Sequence, residues 1–297
     1  MDERVSIAVI IPAYGPTPYL RAILERIESG ARHPQEIIVS HSGSHDPTET
    51  LAKKYPQVRV LHSQARLFAG AARNRGAAVA ESDLLAFCDS DVLPAADWLE
   101  RLAGALEAGE RRFVVGSVGT ARIGGYWGRA NWLCEFSEQA PWRPGGEQNG
   151  GASCNMAVLR TDFAAIGGFP VDAHVSEDTQ LFAKLRAAGL RQLFVPSAEV
   201  GHYNLSGIGN LARHQRLHGR HFAEPRRRLE LPGSSIVRRP WLAPLLPAAK
   251  GCRIVRRLLE GGGREKRWAL AYLPGIIVGM AFWGFGLVQG VFWTRRG

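Results

Sequence analysis

Short apolar runs alternate with helix-like segments over the first ninety residues. Residues 5–11 form a continuous β-branched and apolar run closed by Pro12, which is typical of a buried parallel strand. The same reading predicts further strands at 36–39, 58–61 and 84–88 and helices at 19–27, 48–55 and 70–79. This alternation with short links predicts an α/β fold with a mostly parallel central sheet and helices on both faces. Ligands of such sheets bind beyond the carboxyl ends of the strands.

The pattern is less regular after residue 91. It predicts helices at 98–106 and 179–188 and strands at 113–118, 156–159 and 193–195. Residues 124–151 are rich in Gly, Trp and Pro, so we expect a lid or an acceptor-binding region there. Basic runs and prolines in 226–247 are typical of a linker.

The most apolar stretch, residues 268–293, contains no formally charged side chain. Its 26 residues are enough to cross a hydrocarbon core about 30 Å thick. Aromatic and basic residues flank it, as at membrane interfaces: Trp268, Tyr272, Trp293, Arg264, Lys266, Arg267, Arg295 and Arg296. We therefore expect a globular α/β domain at 1–225, a basic membrane-proximal linker at 226–267, and a transmembrane or membrane-embedded helix at 268–293.

The net charge of +10 lies mainly beside that apolar stretch. Residues 1–210 hold 20 Lys/Arg against 23 Asp/Glu, whereas residues 231–297 hold 11 against 2. This distribution favours anionic lipid, and not nucleic acid, as the partner. Four dispersed cysteines without metal-ligand spacing indicate a reduced compartment, and the N-terminus lacks the features of a signal peptide. We expect a protein of the cytoplasmic membrane whose 1–225 domain lies in the cytoplasm.

Two carboxylates, Asp89 and Asp91, follow the predicted strand at 84–88. Beyond a strand end, one can hold a divalent metal while the other holds a ribose hydroxyl or a metal-bound water. Because neighbouring buried carboxylates repel, the pair needs a cation; a solvated turn is the alternative. Upstream, small residues at 70–76 let a helix approach closely, and Arg73 and Asn74 can then reach a phosphate or the 89–91 loop. Neither GxGxxG nor a P-loop is present.

Seven short motifs follow one another in order. They are VIIPAY at 9–14, GSHDPT at 43–48, ARNRG at 72–76, DSD at 89–91, GASCNMA at 151–157, GGF at 167–169 and ED at 177–178. Together they resemble the family-two inverting glycosyltransferases of the GT-A, or nucleotide-diphospho-sugar transferase, fold over about residues 5–205. The resemblance implies a nucleotide-sugar donor and a divalent metal, Mn²⁺ or Mg²⁺.

The resemblance also implies roles for single residues. Asp91 would hold the metal, with Asp89 near the ribose or a metal-bound water. Asp178 would be the general base of an inverting displacement, with Glu177 beside it; a helix-capping charge is the alternative for this pair. His202 would complete the metal's ligand set, unless it is a structural histidine. Further donor-site candidates are Pro12, Tyr14, His41, Asp46 and Arg73.

Two departures from the family pattern narrow the expectation. His41 and Ser42 stand where relatives place a base-binding carboxylate, and Asp46 is the nearest acid, which leaves UDP, GDP and dTDP open. No Gln-x-x-Arg-Trp motif of processive synthases is present, so we expect the addition of a single sugar. Arg216 and Arg220, four residues apart, would grip the diphosphate of the donor or of a lipid acceptor; a solvated basic face is the alternative.

The expected enzyme is a hexosyltransferase that acts on a lipid-linked or cell-envelope glycan acceptor at the membrane face. One alternative is a sugar-phosphate nucleotidyltransferase, which would need a Gly-rich, Lys-containing loop after the first strand; residues 12–16 contain none. The other is a catalytically degenerate, membrane-anchored binding subunit, which His41 in place of an acid favours.

Overall fold

The computed structural model describes residues 5–109, 112–231 and 233–293. The described residues divide into two compact units. The first comprises Met1–Ala121, Pro144–Ala173 and Glu177–His202, and the second comprises Arg122–Arg143, His174–Ser176 and Tyr203–Gly297.

The strands are β1 (Ile7–Tyr14), β2 (Glu36–Ser42), β3 (Val58–Ser63), β4 (Leu84–Cys88), β5 (Val92–Pro94), β6 (Arg112–Arg122), β7 (Gly146–Glu147), β8 (Asn155–Leu159) and β9 (Arg191–Tyr203). The helices are α1 (Leu20–Glu28), α2 (Thr48–Lys54), α3 (Ala69–Val79), α4 (Trp98–Glu107), α5 (Gly125–Phe136), α6 (Arg160–Ala165), α7 (Glu177–Ala187), α8 (Ile208–Arg228), α9 (Ser234–Val237), α10 (Leu245–Leu259), α11 (Gly263–Ala271) and α12 (Leu273–Trp293). A 3-10 turn covers Pro240–Leu242.

The strands form one mixed sheet in the order β3-β2-β1-β4-β8-β6-β9-β5, with β7 paired to β9. The strands β3, β2, β1 and β4 are parallel, as predicted. The other half is antiparallel, because β8 runs against β4 with Met156 opposite Phe87. β2 pairs with one side of β1, and β4 pairs with the other side. The strand order therefore reverses at β1, and such a reversal leaves a crevice at the carboxyl ends of β1 and β4.

The core of the first unit lies between the sheet and its helices. Ile10, Phe87 and Met156 are fully buried there. A Cβ on Gly76 would lie 2.6 Å from Cγ2 of Ile10, so only glycine lets α3 lie this close to β1. This close approach, which the small residues at 70–76 predicted, carries Arg73 to the carboxyl end of the sheet.

Helix α12 is the most apolar helix of the second unit, and glycines bring it against its neighbours. A Cβ on Gly286 or Gly290 would lie 2.0 Å from the carbonyl oxygen of Arg216 or Arg220 on α8. On another side of α12, a Cβ on Gly279 would lie 2.8 Å from Sγ of Cys134 on α5. The glycines of α12 therefore allow α5 and α8 to pack closely against it.

Within the described residues, only Leu273–Phe292 is long and apolar enough to cross a membrane, and half of this segment is buried in the protein. The apolar stretch predicted at 268–293 is not one helix, because α11 ends at Ala271 and α12 begins at Leu273. Arg295 and Arg296 lie outside the described residues.

The residues predicted as a linker, 226–267, are largely helical. They include the end of α8, all of α9 and α10 and the beginning of α11. Within α10, Leu246, Ile254 and Leu258 are buried at helical spacing, a pattern that the intervening arginines concealed. Similarly, the first half of the 124–151 region is the helix α5. The division at residue 225 stays a prediction.

Candidate functional site

Arg73 joins the 89–91 loop to the start of α7. Its Nη2 atom donates to Oδ1 of Asp89 at 2.5 Å, and its Nη1 atom donates to Oε1 of Glu177 at 3.0 Å. Only 2% of the Arg73 side chain is exposed. Burial disfavours the charged guanidinium, but the ion pairs with Asp89 and Glu177 outweigh it and raise the pKa of Arg73. Two motifs separated by nearly ninety residues therefore meet at one buried cation.

Asp91 and His202 face each other across an antiparallel strand pair. His202 lies opposite Val92 in the pairing of β5 with β9, which places it beside Asp91. Its Nε2 atom is 3.7 Å from Oδ2 of Asp91, and 52% of the Asp91 side chain is exposed. An imidazole nitrogen and an accessible carboxylate are a donor set that Mn²⁺ accepts. The two predicted metal ligands thus lie together.

Asp178 lies in the first turn of α7, next to Glu177. Its Oδ1 atom accepts a hydrogen bond of 2.6 Å from the backbone N–H of Thr179. Burial raises the pKa of Asp178 to about 7, and the negative charge of Glu177 acts in the same direction. A carboxylate with a pKa near the working pH is suited to accept a proton. Ser176, just before α7, has a φ of 69°, a strained conformation of the kind found at functional sites.

His41 is buried at the end of β2, and both of its ring nitrogens are engaged. Its Nε2 atom is 3.0 Å from the carbonyl oxygen of Gly15, and its Nδ1 atom is 3.1 Å from Nδ1 of His62. A carbonyl only accepts, so Nε2 carries the proton and Nδ1 accepts from His62. Asp46 lies near His62, and its Oδ1 atom is 3.9 Å from Nδ1 of His62. Hydrogen bonds from Thr48 lower the pKa of Asp46.

The first sequence motif, residues 9–14, ends beside His41. Pro12 lies within β1 opposite Ser40, and Tyr14 ends the strand with half of its surface exposed. The guanidinium of Arg66 lies 4.5 Å from the centre of the Tyr14 ring, a cation–π contact. Sequence reasoning missed Arg66 because it lies outside every motif, and it missed His62 because a lone histidine late in a strand carries no signal.

Two motif asparagines have structural roles. Asn74 does not face the 89–91 loop: it donates to the carbonyl of Phe169 at 2.8 Å and accepts from its N–H at 2.9 Å, which fixes the 167–169 motif on α3. Asn155 is fully buried and donates to the carbonyl oxygens of Ser117 and Ala198, both at 2.8 Å. These amides hold the backbone around the site.

The two remaining candidates, Arg216 and Arg220, belong to the second unit. Arg216 donates from Nε to Gln289 at 2.9 Å, and its guanidinium lies 4.9 Å from the centre of the Phe285 ring. Both arginines are exposed on α8, and the glycines of α12 pack against their backbone.

The family comparison covers the chain up to residue 166, which includes Arg73, Asp89 and Asp91 but not Glu177 and Asp178. Residues 8–166 match the model for glycosyl transferase family 2. The chain belongs to this family.

Among its relatives, the pre-mycofactocin glycosyltransferase of Mycobacterium tuberculosis is 30% identical over 205 residues, which cover 66% of this chain and 42% of that protein. The chain thus matches less than half the length of that relative. The N-acetylglucosaminyl-diphospho-decaprenol L-rhamnosyltransferase of the same organism is 27% identical over 241 residues, covering 68% of this chain and 77% of that protein.

Among solved structures, the mannosyltransferase PcManGT of Pyrobaculum calidifontis, in complex with GDP-Man and Mn²⁺, superposes with a TM-score of 0.64. The match is 19% identical and covers 98% of this chain and 88% of that one. This likeness confirms the predicted GT-A fold. The assignments of single site residues stay predictions.

Proposed function

We propose that the protein is an inverting glycosyltransferase that moves one sugar from a nucleotide-sugar donor to a hydroxyl acceptor. The observation that carries this proposal is the buried Arg73, which holds Asp89 and Glu177 in one ion-paired group. The donor-side carboxylate and the acidic pair that contains the base Asp178 are thereby kept in a fixed relation. Such preorganisation is what a displacement at one carbon requires.

The donor would bind with a divalent metal, Mn²⁺ or Mg²⁺, held by Asp91 and His202. Their separation of 3.7 Å is slightly wider than that of two ligands on one ion, and the half-exposed Asp91 side chain could close the difference by a small rotation. When bound, the metal supplies positive charge that neutralises the departing nucleoside diphosphate. The complex of PcManGT with GDP-Man and Mn²⁺ supports this choice of cofactor.

Asp178 would take the proton of the acceptor hydroxyl. As the acceptor oxygen bonds to the anomeric carbon, the bond from that carbon to the diphosphate oxygen breaks, and the configuration inverts. Because the pKa of Asp178 is about 7, the carboxylate form is present at neutral pH yet basic enough to accept the proton. Arg73 is a positioning residue, and Asp89 would reach the ribose or a metal-bound water.

Recognition of the donor base would differ from the usual carboxylate contact. His41 donates its ring N–H to the carbonyl oxygen of Gly15 and accepts a hydrogen bond from His62. It would therefore position the loop between β1 and α1 and would not bond the base. Pro12 and Tyr14 at the end of β1 would line the nucleotide, with Arg66 against the Tyr14 ring and Asp46 near His62.

The acceptor would be lipid-linked. The name of the decaprenol-linked rhamnosyltransferase relative supports this, as does an apolar stripe on α12 that is open to the surroundings. The exposed stripe consists of Leu273, Ile277, Phe285, Val288 and Phe292. The charged helix α8 covers another face of α12, so we propose that α12 lies partly in the cytoplasmic leaflet and does not cross the bilayer as an isolated helix. Arg216 and Arg220 would contact the diphosphate of the lipid acceptor.

The test is a panel of nucleotide sugars incubated with the purified chain and Mn²⁺ or Mg²⁺, with release of nucleoside diphosphate as the readout. We expect turnover of one donor, its loss in Asp91→Asn, and an inverted anomeric configuration in the product. The exposed Asp172→Asn is the matched control. Absence of turnover and of nucleotide binding across the whole panel would favour the degenerate binding subunit. Release of pyrophosphate from NTP and a sugar phosphate would favour the nucleotidyltransferase.

A further inference from the structure

A second group of ligand-type side chains lies in the second unit, away from every donor-site motif. His214 and His218 are four residues apart on α8, which places both imidazoles on one face of the helix. Glu135 lies near the end of α5. One ligand atom from each of the three lies within 4.8 Å of the other two.

The separations fit one shared ion. The two Nε2 atoms are 2.8 Å apart, and Oε1 of Glu135 is 3.4 Å from His214 and 3.8 Å from His218. Ligand bonds of about 2.0 to 2.1 Å at tetrahedral to octahedral angles separate adjacent ligand atoms by roughly 2.8 to 3.4 Å. Two separations fall within this interval, and a shift of about 0.4 Å in the carboxylate brings the third into it.

Two side-chain amides, of Asn131 and Gln215, lie next to the group. Nδ1 of His214 is 2.9 Å from the side-chain amide of Asn131, and this amide is in turn 2.9 Å from that of Gln215, which is 1% exposed. As placed, Nδ2 of Asn131 faces Nδ1 of His214, and Oδ1 of Asn131 accepts from Nε2 of Gln215. A metal on Nε2 would leave the proton of His214 on Nδ1, so both amides would turn over together to present Oδ1 of Asn131 to it. Oε1 of Gln215, which has no hydrogen-bond partner among the described residues, would then accept from Nδ2 of Asn131. Such outer partners fix the orientation of a metal-binding imidazole.

The chemistry of the group favours a cation over a chain of hydrogen bonds alone. Two facing Nε2 atoms share only one proton, and the carboxylate beside them adds negative charge, so a divalent ion satisfies all three at once. Two imidazoles and one carboxylate suit Zn²⁺ better than Mg²⁺, which prefers oxygen ligands. About a third of each imidazole is exposed, which leaves an entry path and an open coordination position. Lys250, whose charge also acts on Glu135, opposes the cation and weakens its binding.

We propose that Glu135, His214 and His218 form a zinc-type metal site that fixes α5 to α8. It uses none of the residues assigned to the donor site, and it does not depend on the proposed sugar transfer. The expected consequence is that Zn²⁺ stabilises the folded second unit, because a ligand that binds only the folded state raises its stability.

The test titrates the metal-free full chain, in detergent, with Zn²⁺ against a chromogenic chelator, in the Asp91→Asn background that disables the donor site. We expect one Zn²⁺ per chain. Affinity should fall at least tenfold in His214→Gln, His218→Gln and Glu135→Gln, and stay unchanged in the controls His221→Gln, also on α8, and Glu138→Gln.

A chain that binds no Zn²⁺, or a His214→Gln/His218→Gln double variant that binds it equally well, would overturn the proposal. X-ray absorption of the Zn²⁺-loaded chain in the Asp91→Asn background decides the question without altering the proposed ligands: two imidazole ligands on zinc support the site, and none or one contradicts it.

Discussion

Nε2 of His202 lies 3.7 Å from Oδ2 of Asp91, although the two residues are more than a hundred positions apart in the chain. The pairing of β5 with β9 sets this relation, since His202 is opposite Val92. An antiparallel ladder fixes which side chains can meet. Asp91 lies in the turn just before β5, so the strand pairing brings the two proposed ligands together.

His202→Gln should weaken the dependence on metal without abolishing the reaction. Loss of the imidazole removes one ligand and leaves Asp91, so we expect the Mn²⁺ concentration for half-maximal activity to rise about tenfold, with most activity restored at saturating Mn²⁺. A Mn²⁺ titration of donor turnover measures this. The exposed His33→Gln serves as the control, and a variant with an unshifted Mn²⁺ dependence would make His202 a structural histidine.

Arg73→Lys should destabilise the protein despite keeping the charge. A single ammonium cannot reproduce the two-pronged contact with Asp89 and Glu177, and a poorly paired buried cation at position 73 is costly. We expect a loss of about 3 kcal/mol in the free energy of unfolding, seen as a lower Tm. In contrast, Arg21→Lys in the exposed pair with Glu25 should leave the Tm nearly unchanged, because solvent screens that pair. Equal effects of the two substitutions would contradict the central role of Arg73.

The sequence predicted the parts of this site that depend on local pattern. The apolar run of β4 placed Asp89 and Asp91 at a strand end, and Gly76 indicated the close approach of α3. It did not predict that Arg73 would bind Glu177, because that contact spans 104 residues and depends on where α3 and α7 pack. Long-range pairing of this kind follows from tertiary packing and leaves no periodic signal.

The second unit was the harder part to predict for a related reason. Arginines at 253, 256 and 257 interrupt the apolar positions of α10, so the sequence pattern conceals its buried face and predicts a linker. The glycines of α12 were visible, but which helices they contact depends on α5 and α8. Similarly, the pairing of His214 with His218 only becomes informative once α5 brings Glu135 to them.

Asp178→Asn should separate activity from stability. Unfolded Asp has a pKa of about 3.9, whereas the folded side chain has a pKa of about 7, so the folded state binds the proton more tightly. The stability contributed by this group is present below pH 4 and is lost as the pH rises through 7. Asn stays neutral, so the variant should be more stable than the native protein at pH 8, by roughly 1 kcal/mol or more, and equally stable at pH 3.5.

Transfer by the same variant should fall by a factor of about 10² to 10⁴, because the general base is missing. In the native protein, kcat/KM should rise with pH through about 7 as Asp178 ionises. Thermal unfolding and initial rates between pH 5 and 9 measure both effects, with Asp172→Asn as the control. A native pH profile with no ionisation near 7 would assign the base to another group.

The double variant Ile277→Asp/Phe285→Asp should release the protein from membranes without unfolding it. Both side chains are more than half exposed on α12, so charges there cost little in the folded protein but several kcal/mol if they must enter lipid. We expect flotation with anionic vesicles to fall at least fivefold while Tm changes by only a few degrees, and turnover of the nucleotide sugar with a water-soluble acceptor to persist. Gln57→Asp, exposed in the first unit, controls for added negative charge. If the double variant floats as well as the native chain, the exposed stripe is not the membrane contact. Gly290→Val, which forces α12 away from α8, then tests whether the face of α12 that α8 covers binds the membrane.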